Sequence, residues 1–385
     1  MPKSVSHILL KTSLSQKTKI VYRCSIIYYD QTMRQQLQNA ILLLIVLTLA
    51  SACKKKSEQP LEPESSPFDI YAAGREDYVA KYWKNGNAVT LGSGSGASDA
   101  NAMVLSGADI YIAGYEINAA GKYVAKYWKN GTAVSLTDGT RDAYANDIFV
   151  QGNDVYIAGQ EIAPGRTTYQ AKYWKNGTPV VLTENTQQAI ATGIVLSGSD
   201  IYVIGERRNP DWLTPITCYW KNGQLTDLSD RSRTAVDQAM AISGNDIYMV
   251  WSESYNSFGQ SQTRYSKNLS TPVLINDGTP DVRGTSIAVD GNDIYIAGFG
   301  TENNNSAIKA KYWKNGSPVI LSTGATSAFG QSIAISGTDI YVAGYSDGNQ
   351  SGGYGVAQYW KNGSVVNLTN GTADALIRKI IVVKK

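Results

Sequence analysis

The pentapeptide Tyr-Trp-Lys-Asn-Gly begins at Tyr82, Tyr127, Tyr173, Tyr219, Tyr312 and Tyr359, and a degenerate copy, Tyr-Ser-Lys-Asn-Leu, begins at Tyr265. The steps between copies are 45, 46, 46, 46, 47 and 47 residues. A second signature, Asp-Ile-Tyr or Asp-Val-Tyr, begins at Asp69, Asp109, Asp154, Asp200, Asp246, Asp293 and Asp339. Two signatures repeated seven times at one spacing restrict the fold severely. Each unit must be a supersecondary structure that buries its apolar face only against its neighbours.

Each unit reads as four short strands. The first is the apolar run before Ser-Gly, such as Met103-Val104-Leu105. The second is Asp109 to Gly114, the third Ala125 to Lys129, and the fourth Ala133 to Leu136. The Asn-Gly between the third and fourth suits a two-residue type I′ hairpin, in which both residues need positive φ. Nothing has a helical period. Four antiparallel strands in about 46 residues make the blade of a β-propeller. The expected fold is all-β, a seven-bladed β-propeller over residues 69–385.

The segment ends favour a ring over an open solenoid. The first unit opens at Asp69, directly on its second strand, and the last residues, Ile377 to Val383, form a first strand with no unit after it. Pairing these two segments completes the deficient blade and leaves no exposed terminal edge. A solenoid would need capping units.

The repeat resembles the extracellular HAF-type propeller repeats of bacteria, which pair an aromatic-Trp-x-Asn-Gly hairpin with a later Ala-x-x-Ile-x-x-x-Gly strand. Tyr127 to Gly131 and Ala145 to Gly152 carry the resemblance. It implies a fold and an extracytoplasmic compartment, and little about activity.

The N-terminal part reads as targeting sequence. Ala40 to Ala50 form an apolar run of eleven residues, short of the roughly twenty needed to span a bilayer. The run ends in Leu49-Ala50-Ser51-Ala52-Cys53. This resembles the lipobox of bacterial lipoproteins, with Ala50 where leucine is commoner. The resemblance implies that residues 1–52 are a leader and signal peptide; residues 1–32 make an unusually long lead-in, which points to Met33 as the start codon. Cys53 would then be the acylated first residue of the mature chain. Residues 53–68, with Pro60, Pro63 and Pro67, read as a tether. Lys54, rather than aspartate, after the cysteine favours the outer membrane of the cell envelope.

Residues 53–385 hold 29 basic and 31 acidic side chains, so the basic excess belongs to the leader and nothing points to nucleic acid. The one histidine, His7, is in that leader, and the cysteines are Cys24, Cys53 and Cys218. Histidine-based catalysis, a zinc cluster and a disulfide framework are therefore not expected. Neither a metal nor another cofactor is expected, and the chain should be a monomer. Cys218 replaces the alanine before Tyr219 and should be a buried small hydrophobe.

The repeated Trp and Tyr should fill the spaces between blades rather than stack on sugars. The seven aspartates should cap the Ser-Gly-x-Asp turn, since one carboxylate per blade cannot enclose a calcium ion. Binding should sit on the rim carrying the variable connections. The first strand should line the central channel, with Asn101, Asn146, Thr192, Gln238, Thr285, Gln331 and Arg378 at its first polar position. These either solvate the channel mouth or form a polar ligand site bordered by Arg141, Arg166, Arg207, Arg208, Trp212, Arg231, Arg233, Arg283 and Phe329. The leading expectation is a lipid-anchored, non-catalytic binding or scaffold module for an envelope protein or glycan. The alternatives are a lectin with repeated sites between blades, and a carbohydrate-active enzyme using two of Glu206, Asp211, Asp230, Asp237 and Asp281.

Overall fold

Each repeat forms a four-stranded antiparallel sheet, and each sheet packs on the next around an axis lined by the inner strands. The computed structural model describes residues 67–385 apart from 95, 185–187, 209–213, 230–231, 256–258, 303–306, 324 and 349–354. Met33, Cys53 and the tether up to residue 66 lie outside the described residues.

Blade one takes its inner strand, Ala375–Lys384, from the C-terminus and its other three, Phe68–Glu76, Val79–Lys84 and Asn87–Thr90, from the N-terminal end. Asp69 pairs with Val383, Ile70 with Val382, Tyr71 with Ile381 and Ala72 with Ile380. The ring is therefore closed by a backbone ladder, as the two unmatched segments predict. In the outer hairpins the asparagines have φ of 49–51° and the following glycines 82–85°, the type I′ geometry that Asn-Gly favours.

Seven apolar clusters lie between neighbouring blades. Tyr71, Ala73 and Leu91 of blade one pack on Met103, Ile112 and Trp128 of blade two. At the closure, Ala72, Trp83, Ile377 and Ile380 pack on Tyr341 and Ala343 of blade seven. The pentapeptide tryptophans Trp83, Trp128, Trp174, Trp220, Trp313 and Trp360 are at most 2% exposed, which makes them interblade filler.

A bulge in each inner strand positions the channel lining. In blade two it falls at Asn101, between Ala100 and Ala102. The carbonyl of Asp99 turns there toward the second strand, and a Cβ on Gly114 would lie 1.9 Å from it. Gly74, Gly159, Gly205, Gly298 and Gly344 stand in the same relation to their inner strands, at 1.9–2.0 Å. This close approach explains the glycine of Ile-Ala-Gly. Blade five has Trp251 at that place, and its bulge moves to Val236.

Candidate functional site

The lower face carries the inner and outer hairpins, and here both sequence signatures meet. The Asn130 side-chain amide donates to Asp109 (2.7 Å), its oxygen accepts from the Ile110 N–H (2.9 Å), and Lys129 pairs with Asp109 (2.8 Å) while lying over the Tyr111 ring (5.1 Å). The Asn-to-Asp bond recurs in all seven blades at 2.6–2.8 Å. The aspartate thus clamps one hairpin to the other, rather than capping its own Ser-Gly turn as expected. These bonds from lysine and asparagine hold the aspartates below the ordinary value of 3.8.

The channel narrows to a cavity of about 110 Å³ lined by Asn101, Asn146, Thr192, Gln238, Thr285, Gln331 and Arg378. The predicted ring therefore converges. Most of its hydrogen bonds run around the circumference. Asn101 Nδ2 donates to the Ala145 carbonyl (2.9 Å), Asn146 Nδ2 to Ala191 (2.8 Å) and Thr285 Oγ1 to Gly330 (2.9 Å). Thr192 reaches the Gln238 side chain instead (3.2 Å), because the shifted bulge moves that carbonyl away. One residue further on, Asp147, Ser286 and Ser332 accept from the N–H groups of Ile194 (2.9 Å), Ile333 (3.4 Å) and Ile380 (3.2 Å). The polar ring is thus largely a stitch between blades. Burial pushes the Asp147 carboxyl up, opposed by Lys379.

The upper mouth, where the second-to-third and outer-to-inner connections lie, differs from blade to blade. Between blades two and three, Tyr144 meets Tyr115 (5.1 Å between ring centres), Tyr123 (4.9 Å) and Tyr169 (5.9 Å). Between blades six and seven, Phe329 stacks on Tyr345 (4.7 Å, 20°) and meets Phe299 edge-on (5.0 Å), while Arg283 lies over Phe299 (5.2 Å). Between these aromatic groups, Asp99, 1% exposed, pairs with both Arg75 and Arg378 at 3.4 Å, and Arg75 also pairs with Asp374 (3.4 Å). Asp99 Oδ1, Arg75 Nε and Arg378 Nε are buried without a partner. Burial raises the phenols of Tyr115 and Tyr345, and the Arg378 guanidinium opposes that rise at both.

The other expected rim residues divide. Arg283 reaches the mouth and is bound to Asp237. Arg207 is buried and holds Asp227 through two bonds of 2.6 and 2.8 Å. It occupies the place of Glu116 in blade two, which pairs with Lys126 (2.5 Å); Cys218 occupies the place of that lysine and not, as expected, of the alanine, which Thr217 replaces. Arg207 thereby serves the blade framework rather than an open rim. Cys218 is fully buried, and burial pushes its thiol up. Arg208 lies close enough to Glu206 to oppose the rise that burial and Asp237 impose on that carboxyl. Arg141 binds Glu161 (2.9 Å), and Arg233 donates to Gln262 (2.8 Å). Trp212, Arg231, Asp211 and Asp230 lie outside the described residues.

Sequence reading missed the tyrosine cluster and the Arg75–Asp99–Arg378 link. The available signal was positional. Tyr115, Phe299 and Tyr345 each follow the bulge-facing glycine, and Asp99, Tyr144 and Phe329 each stand two residues before the bulge. In these columns the seven units differ.

No family model and no curated protein matches this sequence. Among solved structures, the chain is similar to a puromycin-hydrolyzing peptidase from Mycobacterium tuberculosis (TM-score 0.47, 11% identity), over 71% of this chain but only 47% of the peptidase. It is similar to TolB from Acinetobacter baumannii (0.45, 12%) over 71% of this chain and 67% of that one. It is also similar to the β-propeller domain of the Trilobed protease from Pyrococcus furiosus, which has an open velcro topology (0.48, 12%), over 80% of this chain and 94% of that one.

Proposed function

We propose that this protein is a non-catalytic binding module, held to the bacterial envelope by a lipid on Cys53, that takes one ligand at the upper mouth of its channel. The contrast between the two faces carries this reading. The lower face repeats one clamp seven times, whereas the upper mouth varies its side chains at equivalent positions from blade to blade. A lectin with repeated sites would need the reverse. The rigid ring supports such a site because loops carried on a fixed scaffold can vary without cost to the core.

The test has two parts. Cells fed radiolabelled palmitate should label the full chain, and Cys53→Ser should abolish labelling. Calorimetric titration of the detergent-solubilised chain with candidate envelope peptides and glycans should give one site per chain. Seven equivalent sites would defeat the reading.

A second reading, carboxylate-dependent cleavage of a glycoside, draws on Glu206 and Asp237. Burial and Asp237 both raise the Glu206 carboxyl, the environment of a general acid. Turnover of a glycoside panel that disappears in Glu206→Gln would favour it.

A further inference from the structure

We propose that the upper mouth binds a neutral glycan chain laid across the channel, with Phe329 and Tyr345 stacking one sugar, Tyr115 and Tyr144 stacking another, and the partly exposed guanidinium groups of Arg75 and Arg378 hydrogen-bonding the hydroxyls between them. This deepens the single-site reading above and rests on it.

Three features select this ligand chemistry. First, all four rings are partly exposed and form two separate groups, one between blades six and seven and one between blades two and three. Aromatic faces attract the C–H faces of sugars by the same quadrupole that governs ring packing. Second, the link between the groups offers hydrogen-bond donors. The buried Asp99 holds Arg75 and Arg378 at 3.4 Å, and both guanidinium side chains stay partly exposed, at 21% and 37%. The charge of Arg378 opposes the burial-driven rise of the Tyr115 and Tyr345 phenols alike. Guanidinium groups held in place by a buried carboxylate suit adjacent hydroxyls, whose oxygens accept from them. Third, the charges are balanced. Arg283 is bound to Asp237, Arg378 to Asp99, and Arg75 to Asp99 and Asp374. A polyanion would find each of these cations already compensated.

An extended peptide is disfavoured by the backbone. The connections around the mouth are bonded to each other, as in Asp77 N–H to Asp374 (2.8 Å), Ile117 N–H to Ala97 (2.8 Å) and Asp347 N–H to Ser327 (2.9 Å). Among the described residues, these three pairs leave the backbone they join without a free edge for a peptide to extend.

The experiment is calorimetric titration of the detergent-solubilised full chain. The probes are cellohexaose, maltohexaose, chitohexaose, their disaccharides, a hexagalacturonate and a proline-rich decapeptide. At least one neutral hexasaccharide should bind at one per chain, more tightly than its disaccharide, with an affinity little changed between 50 and 500 mM salt. Phe329→Ala and Tyr144→Ala should each weaken binding about two- to twelvefold, and Arg378→Gln should weaken it further. Lys221→Gln on the lower face should leave it unchanged, and urea midpoints show which variants remain folded. Binding of none of the neutral probes, a strict preference for hexagalacturonate, or indifference to both aromatic variants overturns the proposal. Peptide binding that Phe329→Ala weakens overturns the glycan but keeps the binding module. Cleavage of a bound hexasaccharide keeps the glycan and overturns the non-catalytic reading.

Discussion

Trp251 and Ser266 exchange the roles that a glycine and a tryptophan play in the other six blades. Elsewhere the second strand has glycine and the third has tryptophan; in blade five Trp251 sits on the second strand and Ser266 on the third, opposite Met249. Trp251 is 1% exposed and packs on Tyr202, Ile204 and Tyr219 of blade four. Trp360 packs in the same way on Tyr295, Ala297 and Ala310 of blade six. One indole per interface is thus kept, although its attachment point differs.

The exchange predicts a compensated pair. Trp251→Gly alone should lower stability by about 3–5 kcal/mol, the usual cost of emptying a large aromatic site. Adding Ser266→Trp should recover most of that loss and return the bulge from Val236 to Gln238. Urea unfolding of the two single variants and the double variant measures the coupling. Simple additivity of the two losses would show that the indole sites are not equivalent.

Blade five also has a strained hairpin. Leu269 stands where the other blades have glycine and has φ 61°, with 42% of its surface exposed. A left-handed conformation costs a side-chain-bearing residue about 1–2 kcal/mol, and little burial would be lost here. Leu269→Gly should raise stability by about 1 kcal/mol, seen as a higher urea midpoint at unchanged slope. A fall in the midpoint would mean that Leu269 packs better than its exposure implies.

Ring closure depends on the last strand. Ile380 is 1% exposed, packs at the interface between blades seven and one, and pairs with Ala72. Ile380→Asp should cost several kcal/mol, because it buries an unpaired carboxylate at the seam. Removing residues 375–385 should uncover the Phe68–Glu76 edge and produce aggregation detectable by light scattering. Lys384→Ala, near the end of the same strand, should change little.

The clamps set the acid behaviour. In Asp109, Asp200, Asp246, Asp293 and Asp339 the lysine is the leading cause of the lowered carboxyl value; in Asp69 and Asp154 it is the asparagine. A lowered folded value means that the contribution is present above the unfolded value, near 4, and is lost as pH falls through the folded value. Asp147, Glu206, Glu253 and Asp281 are raised by burial and act in the opposite sense, gaining on protonation. With seven clamps against these few, urea midpoints should be level from pH 7 to about 5 and drop below about 4. The drop should be smaller in 0.5 M salt, since the clamps are exposed. A midpoint that rises as pH falls below 4 would show that the buried carboxyls dominate.

The sequence by itself determined the number of blades, the strands in each, the type I′ hairpins and the closure of the ring. These follow from local chemistry repeated at a fixed period: Asn-Gly selects one turn, alternation selects strands, and seven equal units leave two unmatched segments to pair. The channel ring from Asn101 to Arg378 was legible for the same reason, since each member occupies one position of the repeat. What those side chains do was decided only in three dimensions. Asn101 bonds to a carbonyl 44 residues away and Arg378 to a carboxylate 279 residues away, so their partners depend on the placement of neighbouring blades. The upper mouth is the extreme case. Tyr115 and Tyr144 meet because blade two packs on blade three, and Phe299 and Phe329 because blade six packs on blade seven, whereas Phe329 and Tyr345 face each other across one strand pair.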